Sequence, residues 1–308
     1  MDDLPFDKPG RFFKGNLHTH STGSDGKLSP VDVIARYRDR GYDFVALTDH
    51  FWSLYDFPVT DTTPYRTDGF TTLIGAELHC GGTPYGGGWS NGLWHIIALG
   101  LPLDFAPTRD DETVHELTAR AAASGAWISL AHPGSQGFEP HHVLEVENID
   151  AVEVYNSGAA YYDERGDGWY LADGLAARGR KIGCAAVDDA HFDGRPHEFT
   201  GFVLVKAEEC TPEALLAALK ARHYYASQGP EIHDIAVVDN VVTVRCSPAE
   251  SIIVAGRGAA SPQWHYGQNV TEHSFAFDGG FSDGFLRVTV RDHAGRRAWS
   301  NPFFFGQS

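Results

Sequence analysis

The chain has 308 residues with 41 acidic against 24 basic side chains, a net charge of −17. That balance excludes a nucleic-acid duplex or an anionic membrane as the main partner, because both need a basic face. A hydrophobic content of 42% allows a real core, no run approaches the roughly 18 apolar residues of a membrane span, and the N-terminus lacks the basic and apolar regions of a signal peptide.

A cytoplasmic location is therefore expected, with Cys80, Cys184, Cys210 and Cys246 as reduced thiols, since none forms a CxxC pair. In chain order, residues 11–205 alternate short β-type runs with helical stretches. Strands are predicted at 12–17, 44–47, 72–77, 95–99, 127–130, 151–155, 182–186 and 202–205, and helices at 29–40, 111–124, 140–146, 169–179 and 211–221. Ser29 before Pro30, and Thr211 before Pro212, suit an N-cap followed by a first helical turn. The alternation favours an α/β barrel or a doubly wound sheet. Residues 81–92, with Trp89, are glycine-rich and precede no helix start, so they read as a lid or rim rather than a phosphate cradle. Beyond about residue 230 the helical periodicity ends. Runs at 232–238, 241–245, 251–255, 274–277, 285–291 and 298–304 predict a small antiparallel, sandwich-like domain. The expected division is 1–230 and 231–308.

The placement of the 16 histidines is the unusual feature. His18 and His20 follow the first strand, where positions i and i+2 point to one side and can reach one metal ion. Asp25 stands in a Ser24-Asp25-Gly26 turn, Asp49-His50 and Glu77 end the next two strands, His95 starts one, His132 follows one, and Asp189-Ala190-His191 follows another. Strand ends converge on one face in barrels and open α/β sheets. A lone histidine at a strand end is ordinarily a cap or surface residue. Here six histidines and three carboxylates recur at successive strand ends, more than the roughly three protein ligands of one catalytic zinc. The mixed N/O set without thiolates suits zinc, manganese or iron. His79, His115, His141, His142, His197, His223, His233, His265, His273 and His293 read as ordinary core or surface residues.

These residues resemble the motifs of the PHP (polymerase and histidinol phosphatase) superfamily: Leu17-His18-Thr19-His20, Leu47-Thr48-Asp49-His50, Ala131-His132-Pro133 and Asp189-Ala190-His191, with Glu77 and His95 at the intermediate ligand positions. Tyr225–Pro230 and Ala298–Pro302 look like the branch that includes carbaryl-hydrolase-like proteins. The resemblance implies a distorted (β/α)7 barrel of PHP type carrying the small C-terminal all-β domain. It implies two or three divalent ions: one on His18, His20, Glu77 and Asp189, one sharing Glu77 with His95 and His132, and a third on Asp25, His50 and His191. Asp25 stands where some members have histidine, which would favour a harder ion. Glu77, Asp189 and His191 are the expected catalytic ligands, and Asp49 an orienting carboxylate for His50 or a neighbour.

The expected function is a metal-dependent hydrolase, in first place a phosphoesterase acting on a small phosphomonoester or nucleotide through a metal-bridging hydroxide. Asn156, Arg165 and Ser227 are candidate substrate contacts. Hydrolysis of a carbamate, ester or amide by the same ions is the nearest alternative, and a degenerate barrel serving as a binding module is the alternative of another class. The amidohydrolase superfamily also begins with HxH, but its bridging carbamylated lysine has no counterpart here, since no lysine lies between Lys27 and Lys181.

Overall fold

The computed structural model of the chain describes residues 4–82, 92–258, 262–277 and 284–305. β1 (Arg11–Asn16) leads into the histidine pair, and α1 (Pro30–Asp39) starts where the Ser29 hydroxyl accepts from the Asp32 N–H and Pro30 fills the first turn. β2 (Phe44–Leu47), β3 (His50–Phe51), β4 (Thr71–Cys80) and β5 (Trp94–Leu99) follow. α2 (Val114–Ala123) opens with a reciprocal capping box between Thr113 and Glu116. Next come β6 (Trp127–Leu130), α3 (Pro133–Gln136), α4 (Pro140–Leu144), β7 (Ala151–Asn156), α5 (Ser157–Tyr162), α6 (Trp169–Ala176), β8 (Gly183–Val187), β9 (Phe202–Ala207), α7 (Pro212–Lys220) and β10 (Tyr224–Ser227). The remainder is β11 (Ile232–Val238), β12 (Val241–Gly256), β13 (Gln263–Ala276), β14 (Phe285–Arg291), β15 (Arg297–Ser300) and β16 (Phe303–Phe304). Of these, β3, α3, α5 and β10 have no counterpart among the sequence expectations. The residues 83–91 of the expected lid, Trp89 among them, lie outside the described residues.

The main ladder runs β11-β12-β14-β15-β10-β9-β1-β2-β4-β5-β6-β7-β8. The expected (β/α)7 barrel is met only as a mixed α/β arrangement: the ladder does not close, and β5 runs antiparallel to both β4 and β6. No helix is predicted between the strands at 72–77 and 95–99, and an antiparallel return is what a connection without a crossover helix permits. Past the strand ends, Thr19 and Ala190 form an isolated parallel bridge, His20 N–H donates to the Ala190 carbonyl at 2.9 Å, and Asp189 N–H donates to the His18 carbonyl at 3.0 Å. The C-terminal ends of β1 and β8 therefore meet, although the strands themselves do not pair.

Phe13, Phe44, Leu73, Trp127, Val203 and Tyr224 share one buried cluster. Fully burying a side chain such as Phe44 or Leu73 contributes about 1.5–3 kcal/mol. In the C-terminal part, Asp239 and Asn240 both take positive φ, 47° and 63°, as the two-residue turn between β11 and β12 requires. β12 is one strand where two were expected, because register shifts between Arg245, Ala249 and Ser251 absorb the irregular segment as bulges. β10 pairs with β15, Tyr225 opposite Ser300. The Asn301 carboxamide accepts from the Cys184 N–H at 2.7 Å and donates to the carbonyls of Arg222 and Tyr224. The four cysteines are unpaired thiols, and among the described residues no helix is long and apolar enough to cross a membrane.

Candidate metal centre

All nine residues singled out as ligands come together around the ends of β1, β2, β6 and β8, with His50 in β3, His95 at the start of β5, and Glu77 inside β4 rather than at its end as expected. His18 Nε2 lies 3.0 Å from His20 Nε2 and 3.2 Å from Asp189 Oδ1, His20 Nε2 lies 3.1 Å from Asp189 Oδ1, and Glu77 Oε2 is 3.6 Å from both imidazoles. A tetrahedral ion with bonds of about 2.0–2.2 Å sets its ligand atoms about 3.3–3.6 Å apart; the His18, His20 and Asp189 atoms form a group slightly tighter than that, and Glu77 Oε2 approaches the two imidazoles at that distance. Glu77 Oε1 reaches the other way, 2.8 Å from His95 Nδ1 and 3.2 Å from His132 Nε2. Asp25 Oδ1 lies 3.3 Å from His191 Nε2 and 3.5 Å from His50 Nε2. His18, His20 and Glu77 form the buried floor, while the Asp25 and His191 side chains keep 38% and 21% of their exposure, which makes that side the entrance.

The electrostatics call for cations. Burial alone would lower every histidine pKa. For His20 it does, and with His191 and His50 adding repulsion the pKa falls to about 4. For His18 the carboxylates of Asp189, Glu153 and Glu77 outweigh burial and raise it well above the usual value, and Glu77 and Asp25 raise His50 to about 10. Burial would lift the carboxylates, but His50, His95 and His18 hold Glu77 well below its ordinary range, and His18 and His20 do the same to Asp189. Protons on imidazoles thus neutralise a carboxylate cluster that divalent ions would neutralise better. His79 Nδ1, His95 Nε2 and His132 Nδ1 are buried without a hydrogen-bond partner, and Glu77 Oε2 faces imidazole nitrogens, His50 Nδ1 at 2.6 Å among them. Buried unsatisfied imidazole nitrogens around a carboxylate fit a group of metal ions.

Two members of the cluster were not foreseen. His79 follows Glu77 by two positions on β4, and its Nε2 is 3.2 Å from His50 Nδ1. The i, i+2 rule that joins His18 to His20 applies equally to this pair and would have found it. Glu153, inside β7, places Oε1 2.8 Å from His18 Nδ1 and accepts the His132 N–H at 2.7 Å through Oε2. Asp49 faces Ser21 and Ser24 rather than His50. Gly26 is needed for space, since a Cβ there would sit 2.6 Å from the His20 carbonyl. His132 and Asp189 hold positive φ, 25° and 53°, a strain of order 1–3 kcal/mol for non-glycine residues that persists where surrounding bonds enforce it.

The candidate substrate contacts fall differently. Asn156 is fully buried, donating to Glu153 and Asp189 and capping α5 through the Ala159 N–H. Ser227 is fully buried too, its hydroxyl bonded to the Pro230 carbonyl and the Gly229 N–H. Both side chains are spent inside the protein. Arg165 is exposed.

The chain superposes on a two-domain protein from Bacteroides vulgatus, described as containing a predicted PHP-like metal-dependent phosphoesterase, over 98% of each chain with 14% identity and a TM-score of 0.51. The chain has a PHP-like fold. At that identity the PHP-like likeness speaks for the fold alone. Looser matches are a protein from Bifidobacterium adolescentis provisionally named a metal-dependent phosphoesterase (16% identity, 59% of this chain and 89% of that one, TM-score 0.45) and an amidohydrolase from Chromobacterium violaceum with bound sulfate and no metal (15%, 57% and 87%, 0.43). No family model and no curated protein matches this chain by sequence.

Proposed function

We propose that this protein is a metal-dependent hydrolase and, within that class, a phosphoesterase for a small phosphomonoester or nucleotide. One observation carries the reading: the ligand atoms of His18, His20 and Asp189 stand 3.0–3.2 Å apart, with Glu77 Oε2 3.6 Å from both imidazoles. These four would hold one ion, Glu77 with His95 and His132 a second, and Asp25 with His50 and His191 a third. When bound, such ions supply Lewis acidity that acidifies water and offsets the charge of a phosphoryl group. The chain does the rest. Glu153, 2.8 Å from His18 Nδ1, would keep a proton on that nitrogen, so that the Nε2 proton is the one a bound ion would displace. Burial keeps His20 uncharged near neutral pH, ready as a ligand. Asp25, His50 and His191 sit at the entrance, where a dianionic group would meet positive charge despite the net −17 of the chain. We further infer that the chain divides near residue 230, with the β region acting as a support for the site-bearing part.

The test is a hydrolase screen of protein loaded with manganese, zinc or iron, using phosphomonoesters and nucleotides beside aryl esters and carbamates. Turnover of phosphoesters is expected, and Asp25→Ala should depress it far more than any aryl-ester cleavage, because a neutral substrate has only one oxygen that becomes strongly negative. Cleavage of carbamates or aryl esters with every phosphoester untouched would overturn the phosphoesterase assignment.

A further inference from the structure

Glu77 and His79 leave the same face of β4, because side chains two apart on a strand are co-directional. His79 Nε2 lies 3.2 Å from His50 Nδ1 and 3.9 Å from Glu77 Oε2, and its ring centroid is 4.4 Å from that of His95. One ligand atom from each of His50, Glu77, His79 and His95 can be chosen so that all lie within 4.8 Å of one another. Two ring nitrogens of this group, His79 Nδ1 and His95 Nε2, are buried and unpaired. A buried polar side-chain atom ordinarily has a partner. The Trp52 ring lies 6.1 Å from that of His79, which is 4% exposed.

We propose that the second ion has two seats, one closed by His132 and the other by His79 and His50, with Glu77 and His95 common to both. This rests on the reading of the cluster as a metal centre. His50 decides between the seats. It turns Nδ1 toward Glu77, 2.6 Å away, and Nε2 toward Asp25, 3.5 Å away. A neutral imidazole has one acceptor nitrogen, so His50 serves the His79 seat or the Asp25 and His191 position, not both, unless it loses its second proton. An ion in the His79 seat therefore weakens the position at the entrance, and His79 tunes how many ions the cluster holds.

The experiment measures zinc and manganese content by elemental analysis after equilibrium dialysis, with affinities from chelator competition. The proteins are the wild type, His79→Gln, His79→Phe, His132→Gln and the His79→Gln/His132→Gln double variant. His79→Phe keeps the bulk against Trp52 should the Gln variant fold poorly. Either single seat should hold the second ion with affinity lowered about tenfold or more, and the double variant should lose it, with far-UV circular dichroism unchanged. The cobalt-loaded visible spectrum should change in the His79 variants. Overturning the proposal would take His79 variants that bind ions within twofold of wild type with an unchanged cobalt spectrum, or a His132→Gln variant that binds as weakly as the double. A wild type that binds no divalent ion overturns the metal centre itself, and this seat with it.

Discussion

Asp49 grips Ser21 twice, its Oδ1 accepting the Ser21 N–H and its Oδ2 the Ser21 hydroxyl, both at 2.7 Å. A third bond, from the Ser24 hydroxyl at 2.9 Å, makes this carboxylate the clasp of the turn that carries Asp25. Asp49→Ala would leave the buried Ser21 N–H without its acceptor, at about 1–3 kcal/mol. Urea denaturation of chelator-treated protein should show that loss, and Asp49→Asn, which keeps one acceptor, should lose less. Equal stability of all three proteins would show that the turn holds without the clasp.

Glu153→Gln removes the charge that keeps the His18 proton on Nδ1 while preserving shape. The expected result is a fold near wild type and divalent-ion affinity reduced roughly 10–100-fold, the usual effect of losing a carboxylate behind a metal-binding histidine. Chelator competition measures it. An affinity unchanged within error would mean that the tautomer is set by something else.

Metal-free protein should lose stability as the solution turns alkaline. His50 has its pKa raised to about 10 by Glu77 and Asp25 against the opposing pull of burial. Its contribution is complete below the unfolded value near 6.5 and is lost as pH rises through about 10. His20, lowered to about 4 chiefly by burial, works in the opposite sense below 6.5, where the unfolded chain takes up the proton and the folded one does not. The metal-free form should therefore melt highest near pH 6.5. With zinc bound, the proton on His50 is replaced and the alkaline decline should shrink. Thermal melts from pH 5 to 10 with and without chelator test this, and parallel curves would argue that His50 carries no extra proton.

Asn301→Ala should destabilise the whole chain. Its side chain serves the Cys184 N–H and two carbonyls from a position only 2% exposed. Leaving those groups unpaired costs about 1–3 kcal/mol each at most, and a fall in melting temperature of several degrees is expected for a chain of this size. A variant that melts with wild type would imply that water enters and satisfies them.

Much of the site-bearing half was legible because polar ligands interrupt apolar strands at their ends. His18, His132 and Asp189 follow runs whose burial needs no distant information, and Glu77 interrupts one. Glu153 was not legible, since a lone acid inside Ala151–Asn156 reads as the solvent-facing member of a half-buried strand. Its partner, His18, is 135 positions away. Most of β13 escaped for another reason, with only its end expected at 274–277: Gln263-Trp264-His265-Tyr266, paired to β12 and largely exposed, has no apolar alternation to announce it. The open ladder was equally hidden. The direction of β5 depends on how a connection turns, and hydrophobic period does not record direction.

The bond between Asn301 and Cys184 also bears on how the protein is made. The amide of Cys184, near the start of the strand that delivers Asp189, has its acceptor 117 residues further on. During synthesis at about 5–20 residues per second, that strand waits roughly 6–23 seconds for this partner to be made. Until then the strand that delivers Asp189 lacks this rear anchor, so the Cys184 amide depends on water or a transient partner while the intervening residues are made.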